Sequence, residues 1–157
     1  MTPAPPGAEP PLARLFALGF RSLIDGLHEE LAARGWNGVR PAFGFVLLAA
    51  RDEPTSSSAI AALMGMSKQA ASKLIDSMVD AGYVERATGA TDRRQRPVVL
   101  TARGRRLLDE VEDIYRELEA RWAAVIGDGE LEHLRSLLTR VLTSDGTEQL
   151  PPIRPTW

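Results

Sequence analysis

Apolar residues recur along the chain with two periods, and the places where the period changes mark out its elements. Leu12, Leu15, Phe16, Leu23, Leu27 and Leu31 share one stripe at helical spacing, which predicts a helix from Leu12 to about Arg34 with Gly35 as its C-cap. Pro41, suited to a first turn, opens a second predicted helix carrying Phe43, Val46, Leu47 and Ala50, which Asp52-Glu53-Pro54 ends. The run TSSSAIAALMGM predicts serine capping, a short helix holding Ile60 and Leu63, and a break at Gly65. SKQAASKLIDSMVDAG predicts a longer helix with Ser67 as N-cap and Gly82 just past its end.

The period then shortens. YVERAT and PVVLT read as two short strands enclosing the polar tip GATDRRQR, with Pro97 tolerated at the start of an edge strand. Thr101 caps a helix of roughly twenty-five residues, whose apolar positions are Leu107, Leu108, Val111, Ile114, Tyr115, Leu118, Trp122 and Val125. Gly127-Asp128-Gly129 turns the chain into a last helix with Leu131, Leu134, Leu138, Val141 and Leu142. The order helix, helix, tight turn, helix, hairpin is that of a winged helix-turn-helix, with long helices at both ends outside that module. The stripe of the helix after Thr101 is longer than one small winged domain can cover, so it predicts a partner surface.

Composition narrows the class. The 157 residues fit one domain, or one domain plus an oligomerisation element, and 44% apolar content is enough for a core. No run of about eighteen apolar residues is present, so no membrane span is expected. MTPAPPGAEPP lacks the basic leader of a secretory signal and reads as a disordered Pro/Ala/Gly tail, so a cytoplasmic location is expected. Cysteine is absent, which excludes disulfides and thiolate metal sites. His28 and His133, the only histidines, have no second ligand at metal spacing, so no metal site is expected. No glycine-rich phosphate loop, nucleophile elbow or acid–base pair appears. The chain is therefore expected to have no catalytic residues and no cofactor.

The net charge of −2 hides an asymmetry. Residues 67–106 hold nine Lys/Arg against four Asp/Glu, a local +5, while residues 1–66 carry −1 and residues 107–157 carry −6. A basic block inside an acidic chain suggests a polyanion-binding face. In the helix after Gly65, Ala71, Leu74, Ile75 and Met78 form the core-facing stripe. Lys68, Gln69, Ser72, Lys73 and Asp76 fall on another side. Gln69 can make paired hydrogen bonds to adenine, and Lys68 and Lys73 can reach guanine or phosphate. The helix N-terminus favours a phosphate, to which Ser67 can add its hydroxyl. Asp76 is suited to pair with Lys73, three residues earlier. A plain solvated amphipathic helix fits the same pattern.

At the hairpin tip, Arg93, Arg94 and Arg96 suit a narrow, electronegative minor groove. Exposed ion pairs contribute only about 0–1 kcal/mol, so an external anion explains the cluster better than fold stability does. Asp92 is read as holding Arg94 in place.

The pattern Asp92-x-Arg94-x-x-x-Val98-x-Leu100-Thr101-x-x-Gly104 resembles the wing and helix-start signature of MarR-type transcriptional regulators. GMSKQAASKLIDSMVDAGYVER resembles their recognition helix and following strand, and the likeness runs from about Leu12 to Leu142. It implies a mostly α fold with a small β-wing: a winged helix-turn-helix with N- and C-terminal dimerisation helices. The implied organisation is a tail at residues 1–10, a dimerisation helix at 11–36, a DNA-binding domain at 39–101, dimerisation helices at 102–143 and a Pro-rich tail at 144–157. It implies a homodimer on double-stranded DNA at a pseudo-palindromic operator, usually as a repressor. By position, Lys68, Gln69, Ser72 and Lys73 would face the major groove and Arg94 the minor groove, with Asp92 orienting the wing. Asp76 and Ser77 depart from the family, where a basic side chain is common. The absence of cysteine removes the thiol switch of some relatives.

The resemblance also places an effector, where one exists, between the dimer helices and the winged domain. Phe16, Phe20, Trp36, Arg40, Phe43 and Tyr115 are the aromatic and cationic residues available there, and Arg40 beside an aromatic suits a small phenolic or anionic compound. The same residues also fit an ordinary core. The alternative function is a winged domain used for protein contact without specific DNA binding.

Overall fold

The computed structural model describes residues 9–88 and 96–144. Its elements are α1 (Leu12–Ala33), α2 (Pro41–Ala49), α3 (Ser57–Met64), α4 (Lys68–Asp80), β1 (Val84–Arg86), β2 (Val98–Leu100), α5 (Ala102–Ile126) and α6 (Asp128–Leu142). Tail assignments at residues 1–8 and 145–157 lie outside the described residues.

Local chemistry sets the starts of three helices. Ser56, Ser67 and Thr101 each accept a hydrogen bond from the backbone N–H three residues on, at 3.0, 3.1 and 3.0 Å. These bonds satisfy N–H groups that have no partner inside the helix. Between α3 and α4, Gly65 adopts φ +63°, a left-handed conformation with no steric cost for glycine, and the Met66 N–H closes the turn onto the Ala61 carbonyl at 3.0 Å.

The core gathers Val46 and Leu47 of α2, Ile60 of α3, Ile75 and Met78 of α4, Tyr83, Val84 and Val98 of the wing, and Leu107 and Ile114 of α5. α1 contributes only Leu27 and Leu31 fully. Its earlier stripe residues Leu12, Leu15 and Phe16 are exposed, and α6 buries no residue at all. Both predicted stripes therefore exist as patterns but extend past anything the described residues supply to cover them.

β1 and β2 pair antiparallel, with Val84 opposite Leu100 and Arg86 opposite Val98. The sequence pattern predicts β2 as an edge strand, but Thr55 forms a bridge with Val98 on its other side, exchanging bonds of 3.0 and 2.7 Å. A one-residue bridge leaves no periodic trace in the sequence. α1 and α5 pack closely through small residues: a Cβ at Gly26 would meet Leu118, and one at Gly19 would meet Trp122.

Candidate nucleic-acid interface

α4 is a two-sided helix. Ala71, Leu74, Ile75 and Met78 are buried, so that side is fixed against α2, α3 and β1. Lys68, Gln69 and Lys73 are exposed and Ser72 is half-buried. Among the described residues, these four make no side-chain hydrogen bond or ion pair. Two cations and two short polar groups therefore line the outward face of a rigid helix. Ser67 stands at the N-terminus of α4, exposed, with its hydroxyl oxygen turned to cap the helix.

The far half of that face is wired to the rest of the domain. Asp76 does not pair with Lys73. Its carboxylate accepts from Arg86 of β1 at 2.8 Å. The Arg86 side chain is only 10% exposed while Asp76 is 61% exposed, and the other Arg86 terminal nitrogen is buried without a partner among the described residues. An ion pair that relieves a nearly buried guanidinium outweighs one between two flexible surface chains. Ser77, next along the helix, accepts from the Arg40 guanidinium and donates to the Leu74 carbonyl at 2.6 Å. Arg40 in turn lies 4.8 Å from the centroid of the Phe43 ring. The hydroxyl and carboxylate at 76 and 77 thus bring in arginines from elsewhere in the chain.

The wing begins where β1 and β2 part, with the Ala87 N–H on the Pro97 carbonyl at 2.8 Å. Arg96 stands there, half-buried. Asp92, Arg93 and Arg94 lie outside the described residues.

A cavity of about 330 Å³ opens between α1, α2 and α5. Of the six effector candidates, Phe20, Arg40 and Tyr115 line it, whereas Phe16, Trp36 and Phe43 do not. Phe16 is exposed on α1. Phe43 is buried edge-on against Tyr83, centroids 5.9 Å apart, and Trp36 lies 6.3 Å from the same ring with Arg103 over it. Sequence reasoning missed Ile24, His28, Phe45 and the Arg51–Glu112 ion pair at the cavity wall. The only signal was the helical step Phe20, Ile24, His28, which points to a common side of α1. His28 Nε2 is buried without a partner among the described residues, and burial lowers the imidazole pKa against a weaker opposing pull from Asp25. Burial also pushes the Tyr115 phenol up.

Among the described residues, no helix is long and apolar enough to cross a membrane. No curated protein matches the chain. The profile described as MarR family matches residues 42–95, from α2 into the wing tip. Solved structures match over most of the length. Wild-type MarR of E. coli in its apo form is 23% identical with a TM-score of 0.68, covering 86% of this chain and 99% of that one. A Mycobacterium tuberculosis MarR-family protein in complex with DNA is 24% identical with a TM-score of 0.65, covering 85% and 98%. The same protein has been solved with salicylic acid, at 24% identity, a TM-score of 0.64, and 85% and 97% coverage. At these identities the structural likeness establishes the fold. The family match falls on the very segment whose outward face carries the lysines, and over that segment the chain is similar to the MarR family.

Proposed function

We propose that the chain acts in the cytoplasm as a homodimeric repressor on a pseudo-palindromic operator, released from it by a small effector. Residues 39–101 form the DNA-binding unit; residues 11–36 and 102–143 form the dimer contact. The observation that carries this reading is the row Lys68, Gln69, Ser72 and Lys73 on the outward face of a helix whose other face is buried. With the free amides of the α4 N-terminus beside Ser67, it presents donors and cations to a major groove. Arg93, Arg94 and Arg96 on the wing reach the flanking minor groove, with Asp92 holding Arg94 in place. Two such helices on successive grooves are about 34–36 Å apart, a spacing that only a dimer fixes.

The dimer is supported by apolar surface. Leu12, Leu15, Phe16 and Leu18 at the start of α1, Val125 and Ile126 at the end of α5, and Leu137, Val141 and Leu142 on α6 are all exposed. Large apolar side chains exposed on three helices are what a partner surface would cover. The effector reading is supported by the cavity beside α2, and by the salicylic acid complex of a protein with the same fold.

The test is binding of the chain to its own upstream DNA by fluorescence anisotropy over a salt series, with mass measured by light scattering. Specific binding by a dimer, falling steeply with salt, is expected. Undetectable or salt-insensitive binding would favour a winged domain used for protein contact.

A further inference from the structure

We infer that Arg40 is a positioning residue shared between the cavity and the recognition helix, so that an anionic occupant draws it away from Ser77 and loosens α4. The inference rests on the reading that the cavity takes an effector, and names the residue that transmits its presence.

Through Arg40 the cavity and α4 meet in a single side chain. It lines the cavity, and its guanidinium donates to Ser77 on α4. The other arginine of the wall, Arg51, is already paired with Glu112, and its carbonyl accepts from Arg105 at 3.4 Å. Arg40 has no carboxylate partner among the described residues; it holds a neutral hydroxyl and the face of Phe43. Most of the remaining wall is aliphatic or aromatic. The occupant this combination fits is an apolar body bearing one anionic group.

The competition has a predictable direction. A guanidinium binds a carboxylate through charge-assisted bonds roughly twice as strong as those to a neutral acceptor, and does so bidentately. Ser77 Oγ keeps its bond to the Leu74 carbonyl after Arg40 leaves, so the hydroxyl is not stranded. What is lost is the polar tie from the start of α2 to the far half of α4, which then rests on its buried stripe and the Asp76–Arg86 pair. By linkage, DNA that favours the tied position must weaken the occupant by the same factor.

Two probes of one shape separate charge from fit: 2-naphthoate and 2-naphthalenemethanol, titrated into the full chain by calorimetry. Wild type should prefer the carboxylate by about tenfold, and Arg40→Gln should bind the two alike. Ser77→Ala, which removes the competitor, should bind naphthoate at least as tightly as wild type. On labelled upstream DNA, naphthoate should weaken wild-type binding by about fivefold or more, and the Ser77→Ala complex by less than about half that factor. The inference is overturned if wild type does not bind naphthoate, if Arg40→Gln keeps the preference, or if Ser77→Ala responds on DNA as wild type does. Should Arg40→Gln fail to fold, the Ser77→Ala titrations decide alone. Failure of wild type to bind DNA without any probe would instead sink the repressor reading, because the ligand arms are read on protein alone.

Discussion

Gly104 sits against the carbonyl of Tyr83, so close that a Cβ at residue 104 would overlap the oxygen and come within 2.9 Å of the carbonyl carbon. That same oxygen accepts from the Thr101 N–H at 3.1 Å, while the Thr101 hydroxyl donates to the neighbouring Gly82 carbonyl at 2.6 Å. The first turn of α5 is thereby clamped to the start of β1, and the angle of the wing is set where glycine allows the approach. Gly104→Ala has no flexible neighbour to displace, only backbone. It should cost about 3 kcal/mol, the upper end for overpacking, in urea unfolding, and weaken DNA binding by tilting the wing. Gly26→Ala is the control. Its Cβ would meet the tip of the Leu118 side chain at 2.9 Å, which can turn aside, so about 1 kcal/mol or less is expected.

Gly104 also shows what the sequence reveals and what it hides. Within Thr101-x-x-Gly104 only the cap across three residues has a local reason; the glycine is marked by the family signature alone, because what approaches it is the Tyr83 carbonyl from another element. The caps at Ser67 and Thr101 are legible for that local reason, and so is the stripe Ala71, Leu74, Ile75, Met78, since each follows from one helical period. The pairing of Asp76 is not legible that way. Lys73 is nearer in sequence, but β1 folds back to bring Arg86 to the carboxylate, and burial of that guanidinium decides the competition. The Arg40–Ser77 contact spans thirty-seven residues and depends on how α2 crosses α4. The cavity is hardest of all to read. Phe43 and Trp36 look like wall residues by type, yet both are drawn onto Tyr83, while His28 reaches the wall only through the path of α1.

On the outward face of α4, charge and hydrogen-bond pattern have separable effects. Lys68→Ala should weaken binding to all sequences alike and reduce the salt slope by about 1. Gln69→Ala should instead change the preferred base at one operator position, by about 1–3 kcal/mol. Selection of binding sites from a random DNA pool, repeated for both variants, distinguishes the two. Equal loss of affinity with unchanged preference in Gln69→Ala would remove that residue from base readout.

Asp76→Asn removes the carboxylate that faces a nearly buried Arg86. Breaking such a pair leaves a charge without its partner, a large penalty when both groups are buried; with Asp76 itself mostly exposed, about 1–2 kcal/mol is expected. The same change deletes a negative charge from the face proposed to meet DNA. Stability should fall while affinity for random-sequence DNA rises, read by urea unfolding and anisotropy on the same samples. A variant that loses both would mean that the pair mainly holds α4 in its binding position.

Two groups give acid sensitivity in different windows. Burial lowers the His28 pKa in the folded chain. The native state therefore binds fewer protons than the unfolded chain below about pH 6.5. Stability is full above that pH and falls as pH drops through the lower folded value. Hydrogen bonding to Arg121 lowers the Glu30 pKa, against a smaller opposing effect of burial, so its contribution is lost only below the ordinary carboxylate value. His28→Leu should flatten the decline in urea midpoint between pH 7.5 and 5.5, leaving the steeper loss in stronger acid. An unchanged slope in that variant would mean that His28 gains protons as readily folded as unfolded.

The proposed dimer rests on the apolar residues left exposed on α1, α5 and α6, and under that proposal the contact sets DNA affinity. Val141 is 71% exposed and Phe16 49% exposed, at positions where the chain's own core offers no cover. A carboxylate at either place is harmless to a monomer, because it stays in water. In a dimer it is buried without a partner, which is costly. Val141→Glu and Phe16→Glu should therefore give monomers by light scattering at micromolar concentration, with helical content retained. Each monomer carries one recognition helix, so the second half-site no longer binds as an intramolecular event. Affinity for a two-half-site operator should fall by about 10² or more, while affinity for a single half-site changes little. If either variant kept the dimer mass, the exposed side chain it replaces would lie outside the contact.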